Sequence, residues 1–489
     1  MKQLLFIHGW SVTNTDTYGA LPARLAAETG VTVQHLHLGK YISFHDEVRV
    51  QDIACALEAA IKREIHLEFG ERFAVITHST GGPVVRAWWD HFYSENDREC
   101  PMSHVIHLAA AQFGSALAKL GKARISRIKG IFQGVEPGEK VLDWLELGSP
   151  EAWTLNQRWV NKRGVTSGDA PVFSFSLVGQ QIDRKFYDNL NSYTGEIGSD
   201  GVVRAAASNL NTTAVRLEQR MPTSNQLKKG IASALSMNHS SVIESERVPF
   251  RLVPGTSHSG KDMGIMRSVK KTGPVAEVVK LVTRCLDVDT EANYRTLADR
   301  FVTENEKLVK TERLEIEDHF LLRDRYFFHD PCSMVIVRVT DDHGYTPQDL
   351  RILFTGKGGL QGDPNKLPEG FVMDSQRNSL HPGTITFFLN HEIIHGCEAV
   401  KRGSKTYRQK ISGITDLGMT VEAFPNEGFA HYHPAYVKPN PEILRSVIKP
   451  HSTVMIDVVL KRIVHRNTMA ITKNLAPASF KSTKPGAAL

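Results

Sequence analysis

A serine hydroxyl attacks a carbonyl only when an imidazole removes its proton and a carboxylate orients the imidazole. One serine in this chain stands where that chemistry needs it. The apolar run Arg72–Thr77 leads straight into Thr77-His78-Ser79-Thr80-Gly81-Gly82, and helical spacing follows over Gly82–Tyr93. A serine between strand and helix must sit on a sharp turn, and its near neighbours must be small because the two backbones crowd there. Gly81 and Gly82 meet that need; Thr77 is larger but compact. The helix start offers free N–H groups and a positive dipole end to an oxyanion, with Thr80 N–H as one donor. The second is expected from Trp10, after the strand-like Lys2–His8, where His8-Gly9 lets the backbone approach.

The carboxylate and the imidazole should follow in that order along the chain. Asp200 lies in Ile197-Gly198-Ser199-Asp200-Gly201-Val202-Val203, a turn before a short apolar run. His258 lies in Pro254-Gly255-Thr256-Ser257-His258-Ser259-Gly260, a small-residue loop after a further strand. Asp169 and Asp183 are alternatives for the acid, and His239 for the base. His8 and His78 are expected to support their loops.

A second constellation offers different chemistry. His391-Glu392-Ile393-Ile394-His395 matches HExxH, which on a helix puts two imidazoles on one face to bind zinc, with the glutamate as general base. The alternating Thr384–Leu389 before it reads as a strand, and Gly396 follows at once. A third ligand could come only from a distant residue such as Glu422 or Glu427. The expectation is no metal, with His391 and His395 as lesser candidates. His431 and His433 alternate as strand residues do. The Gly-rich Thr355–Asp363 lacks the Gly-Lys-Ser/Thr ending of a phosphate loop and reads as a turn.

These residues need a scaffold. Over residues 1–290 strand-like and helix-like segments alternate, including a helix over Val50–Phe69 and a last helix over Pro274–Leu286. That pattern predicts an α/β fold with a mostly parallel sheet and helices on both faces. Residues 115–165, carrying Trp144, Trp153 and Trp159, and residues 205–245 interrupt it and read as cap insertions. Residues 291–318 read as a helical connector. Residues 319–478 carry short β-branched and aromatic runs with no helices between, which predicts an all-β, sandwich-like domain. Residues 479–489 read as a disordered tail.

Composition sets the outer bounds. The chain has 489 residues, 41% hydrophobic and 23% charged, which excludes collagen, coiled-coil and wholly disordered classes. No apolar run approaches the length of a membrane-spanning helix. Five widely spaced cysteines without CxxC read as reduced thiols. The first apolar run is too short for a signal peptide, so cytoplasmic synthesis is expected, with a signal-independent export route left open. The net charge is a mild +6. From Arg445 onward eight basic residues face a single acid, Asp457, which reads as a solvated face and frayed end.

With these motifs in order, residues 1–290 resemble the α/β-hydrolase superfamily on its lipase side. The quoted motifs are His8-Gly9, the His-Ser-Thr-Gly-Gly elbow, the Ser-Asp-Gly-Val-Val acid turn and the Ser-His-Ser-Gly histidine turn. The chain also resembles the PGAP1-like lipase and deacylase group and the phospholipase effectors of type VI secretion systems. The resemblance implies an acyl-ester hydrolase with Ser79 as nucleophile, His258 as base and Asp200 as its orienter. It implies a lipid or phospholipid substrate, membrane-surface contact, and a secretion-machinery or immunity-protein partner. No cofactor and no nucleic-acid partner are expected. The alternatives are an HExxH zinc metallopeptidase and a non-catalytic binding protein with a hydrolase fold.

Overall fold

The structure is a computed structural model that describes residues 3–8, 18–43, 45–96, 98–119, 138–182, 198–237, 241–260, 262–267, 269, 276–311, 313–317 and 325–464. Its amino-terminal sheet consists of β1 (Gln3–His8), β2 (Thr32–His37), β3 (Phe73–His78), β4 (Met102–Leu108), β5 (Phe173–Val178) and, further on, Phe250–Leu252. The spatial order is β2-β1-β3-β4-β5 followed by Phe250–Leu252, and every neighbouring pair is parallel. Side chains alternate between faces along a strand, so a sheet covered on both sides needs unbroken apolar runs. Leu4-Leu5-Phe6-Ile7 is such a run: Leu5 and Ile7 join one core, Leu4 and Phe6 the other.

Helices cover both faces, as the α/β pattern requires. Helix α1 (Leu21–Thr29) has a proline in its first turn and ends on Gly30 at φ 69°, whose N–H donates to the Ala26 carbonyl. It packs with Glu277–Leu286 on the Phe6 face. Helices α2 (Val50–Glu64) and α3 (Gly81–Phe92) pack together on the Ile7 face through Ile53, Leu57, Val85 and Trp88. Helix α2 stops at Glu64, short of the Phe69 that periodicity suggested.

The second sheet has ten strands, of which nine lie on one path. Across it run Asp349–Thr355, Leu417–Phe424, Ala435–Asn440, Ser233–Ser236, Thr212–Gln219, Thr453–Leu460, Cys332–Asp341, Thr384–Asn390 and Val372–Arg377; Val242–Glu244 pairs beside Thr212–Gln219. The sheet curls until its two end strands meet, where Arg377 donates to the Leu350 carbonyl (2.5 Å). Its halves enclose one core, with Phe354 against Phe387 at 5.1 Å, which gives the sandwich-like character expected.

Three expectations are corrected here. Residues 205–245 do not form a cap: Thr212–Gln219 is an inner strand of the second sheet, parallel to Thr453–Leu460 over seven residue pairs. The tryptophans of the first insertion are core and not cap residues. Trp144, Trp153 and Trp159 are buried, in one core with Trp88 of the hydrolase half and with Met334 and Ile336 of the second sheet. The helix Glu291–Thr311 is no free connector. Asn305 lies within it, donating to the Phe250 carbonyl (2.8 Å) and accepting from Leu252 N–H (3.0 Å) at the edge strand. A short hairpin of Val400–Arg402 with Lys405–Arg408 stands apart from the second sheet. The expected tail, 479–489, lies outside the described residues. Among those described, no helix is long and apolar enough to cross a membrane.

Candidate active site

Three connections at the carboxyl edge of the first sheet carry the predicted residues. Ser79 follows β3 directly, in the left-handed region at φ 53°, a conformation costly for a residue with a Cβ. Three backbone bonds hold it there: its N–H donates to Leu108 O (3.3 Å), and its carbonyl accepts from Ala111 N–H and Gly82 N–H (3.2 Å each). Gly82 is the glycine this turn requires. A Cβ there would sit 2.5 Å from Ala110 Cβ, whereas one at Gly81 would meet nothing nearer than Thr77 Cβ at 3.4 Å.

Asp200 follows β5 in a turn that consumes one of its carboxylate oxygens: Oδ1 accepts from Val202 N–H (3.0 Å) and Val203 N–H (2.8 Å). The other, Oδ2, faces His258 Nδ1 at 2.9 Å. The backbone adds a tie, His258 N–H donating to Asp200 O at 2.8 Å. His258 follows the edge strand Phe250–Leu252 in a loop braced by Ser257, whose hydroxyl donates to Ser259 O (2.8 Å). Its Nε2 lies 3.2 Å from Ser79 Oγ. With the proton on Nδ1 the ring donates to Asp200, and Nε2 accepts the serine hydroxyl. Asp200 and His258 are almost fully buried, so the carboxylate–imidazole pair is shielded from bulk water.

Thr80 heads helix α3, with Gly81 as the first helical residue. Trp10, Asp183 and His239 lie outside the described residues, and Asp169 is in an exposed turn. His78 donates through Nε2 to the His258 carbonyl (3.1 Å), and burial together with the neighbouring imidazole holds it well below the usual histidine pKa. It braces the histidine loop as a neutral ring. Thr77 Oγ1 lies 3.0 Å from His107 Nδ1, a contact that no local pattern announces.

The HExxH segment follows the strand Thr384–Asn390 as a single helical turn, His391–His395. His391 and His395 stack at 4.3 Å, but Glu392 is engaged by Arg313 and so is not free as a base between them. Glu422 faces Arg351 at 4.0 Å, and His433 Nε2 donates to Ile231 O (2.6 Å). Among the described residues no group of three His, Cys, Asp or Glu side chains is placed to hold a metal. The Gly-rich segment is a turn closed by two backbone bonds between Gly356 and Asp363 (3.0 and 3.3 Å). A cavity of about 850 Å3 lies elsewhere, among Val248, Phe250, Val309, Lys310, His391 and His451, and none of Ser79, Asp200 and His258 lines it.

The parallel sheet and a serine on a strand–helix turn define an α/β-hydrolase of the lipase and esterase kind, and the chain is a carboxylic ester hydrolase. Phospholipase PlaB from Legionella pneumophila, solved in complex with thio-NAD, is 36% identical over 100% of this chain and 99% of its own, with a TM-score of 0.83. A second structure of PlaB gives 37% identity over 98% of each chain, also at 0.83. The chain belongs to the PlaB phospholipase family. No family model and no curated protein matches it.

Proposed function

We propose that this chain is a phospholipase working through a Ser79–His258–Asp200 triad and an acyl-enzyme. The carrying observation is the unbroken relay from Ser79 Oγ to His258 Nε2 (3.2 Å) and from His258 Nδ1 to Asp200 Oδ2 (2.9 Å). His258 takes the hydroxyl proton as Ser79 attacks the ester carbonyl, then delivers it to the leaving alcohol. Asp200 holds the imidazole tautomer and stabilises the imidazolium. Thr80 N–H, with Trp10 N–H as the expected second donor, receives the oxyanion; losing one such donor costs about 3–4 kcal/mol. Water then releases the acyl group by the same relay in reverse.

Two measurements test this. A fluorophosphonate should label the native chain and not Ser79→Ala. Mass spectrometry of mixed lipids should show fatty acid and lysophospholipid released by the native chain alone. Hydrolysis retained in Ser79→Ala would sink the assignment. Contact with the membrane surface belongs to the same reading, and vesicle sedimentation of Ser79→Ala tests it without turnover. Delivery as an effector would add an immunity partner, which co-purification with the product of a neighbouring gene would reveal.

The relative's ligand extends the proposal. The 850 Å3 cavity is within the size range of ligand sites, and exposed Lys310 at its rim suits a pyrophosphate. A nicotinamide dinucleotide there would act by binding, since ester hydrolysis transfers no hydride. Equilibrium dialysis against NAD without saturable uptake would remove this part and leave the triad reading intact.

A further inference from the structure

Asp200 is held by a turn whose far end reaches out of the hydrolase half. The turn closes on itself: Ala205 N–H donates to Gly198 O (2.8 Å), and Ser199 and Arg204 bridge across it. The Arg204 side chain leaves this neck and enters the second sheet. Its guanidinium stands 3.8 Å over the Phe388 ring, 3.4 Å from Asp374 Oδ2 and 3.9 Å from Cys332 Sγ. Asp374 and Phe388 are direct register partners on neighbouring strands, and Phe388 pairs with Met334 on the next, so the receptor is a composite of three strands. Arg204 is about 5% exposed, and a buried guanidinium must be matched by its surroundings. The turn also packs tightly there, for a Cβ added at Gly198 would come 2.9 Å from Cys332 Cβ.

We infer that Arg204 is a positioning residue, through which the second sheet sets where the Asp200 carboxylate meets His258. The inference rests on the triad reading above. Asp200 Oδ1 is already committed to Val202 and Val203 N–H, two positions and one position before Arg204, so Oδ2 follows the turn as a rigid unit. A turn freed from its clasp can tilt, and a misplacement of about 1 Å at a reacting group can cost about 100-fold in rate.

The test uses the full chain and a soluble p-nitrophenyl ester. Active sites are counted by fluorophosphonate stoichiometry, so misfolded molecules drop out. Arg204→Met should lower kcat per counted site by about 10- to 100-fold. Its KM should stay within about twofold, because ester binding is not touched. Arg204→Lys, which keeps the cation, should recover most of the loss. Asp374→Asn removes the counter-charge without altering the turn and should lower kcat in the same sense. If Arg204→Met yields no soluble protein, Asp374→Asn decides alone: a native kcat per counted site overturns the inference, and a reduced one supports it. Native turnover in Arg204→Met, or a fall in counted sites with unchanged kcat per site, also overturns it. Failure of the triad reading is seen separately, as labelling that survives Ser79→Ala.

Discussion

Thr77 Oγ1 and His107 Nδ1 lie 3.0 Å apart, fully buried beneath the turn that carries Ser79. Thr77 stands where the strand–turn–helix motif ordinarily has glycine, and its hydroxyl meets a polar atom that would otherwise be orphaned. Among the described residues His107 Nε2 has no hydrogen-bond partner, so Nδ1 is the ring nitrogen that they satisfy. Thr77→Val keeps the shape and deletes the hydroxyl. It should cost about 1–3 kcal/mol of stability, read as a lower urea midpoint with an unchanged slope. A midpoint equal to the native value would show that the contact contributes nothing.

The two glycines of the elbow should respond unequally. Gly82→Ala places a methyl 2.5 Å from Ala110 Cβ, inside packed structure, and should cost about 1–3 kcal/mol. Gly81→Ala meets nothing closer than 3.4 Å and stands in a helix, where alanine is preferred, so it should cost less than about 0.5 kcal/mol. Thermal unfolding of the pair checks the ordering.

Asp200→Asn retains shape but loses the charge that fixes the imidazole. Under the triad reading kcat should fall about 10⁴-fold, with the melting temperature nearly unchanged. A fall of only a few fold would pass the acid's role to another residue, with Asp183 the first to test.

Acid should destabilise the fold through its buried neutral histidines. Burial lowers His107 to about 3, and His104 and His451 to about 4, from 6.5. Their folded pKa values are depressed, so the unfolded chain binds more protons between those values and 6.5. Their stabilisation is therefore complete above pH 6.5 and is lost as the pH falls toward 4. Near pH 5 three protons give a slope of up to about 4 kcal/mol per pH unit. Melting temperatures across pH 5–7 should fall with acidification, and a flat profile would contradict the burial argument.

Removing residues 319–489 should not leave a working hydrolase. Thr212–Gln219 would lose the parallel neighbour Thr453–Leu460, and the core shared with Met334, Ile336 and Phe388 would open to water. The truncated chain should be insoluble and unlabelled by fluorophosphonate. A soluble, labelled fragment would show that the halves fold independently.

The sequence by itself determined the parallel sheet and the order of its site motifs. Both are local signals: apolar runs such as Leu4–Ile7, the crowding that demands Gly82, and small-residue turns around Asp200 and His258. Strands with weak local signals were not legible. Val372–Arg377 is polar, as an end strand can be, and Ala435–Asn440 contains Pro439, which argues against a strand interior. Only the tertiary structure decided that residues 212–219 belong with strands far along the chain, that three tryptophans are core, and that Arg204 ties the acid turn to the second sheet. Such pairings depend on which buried faces and unpaired strand edges meet in space, and no spacing along the chain records that.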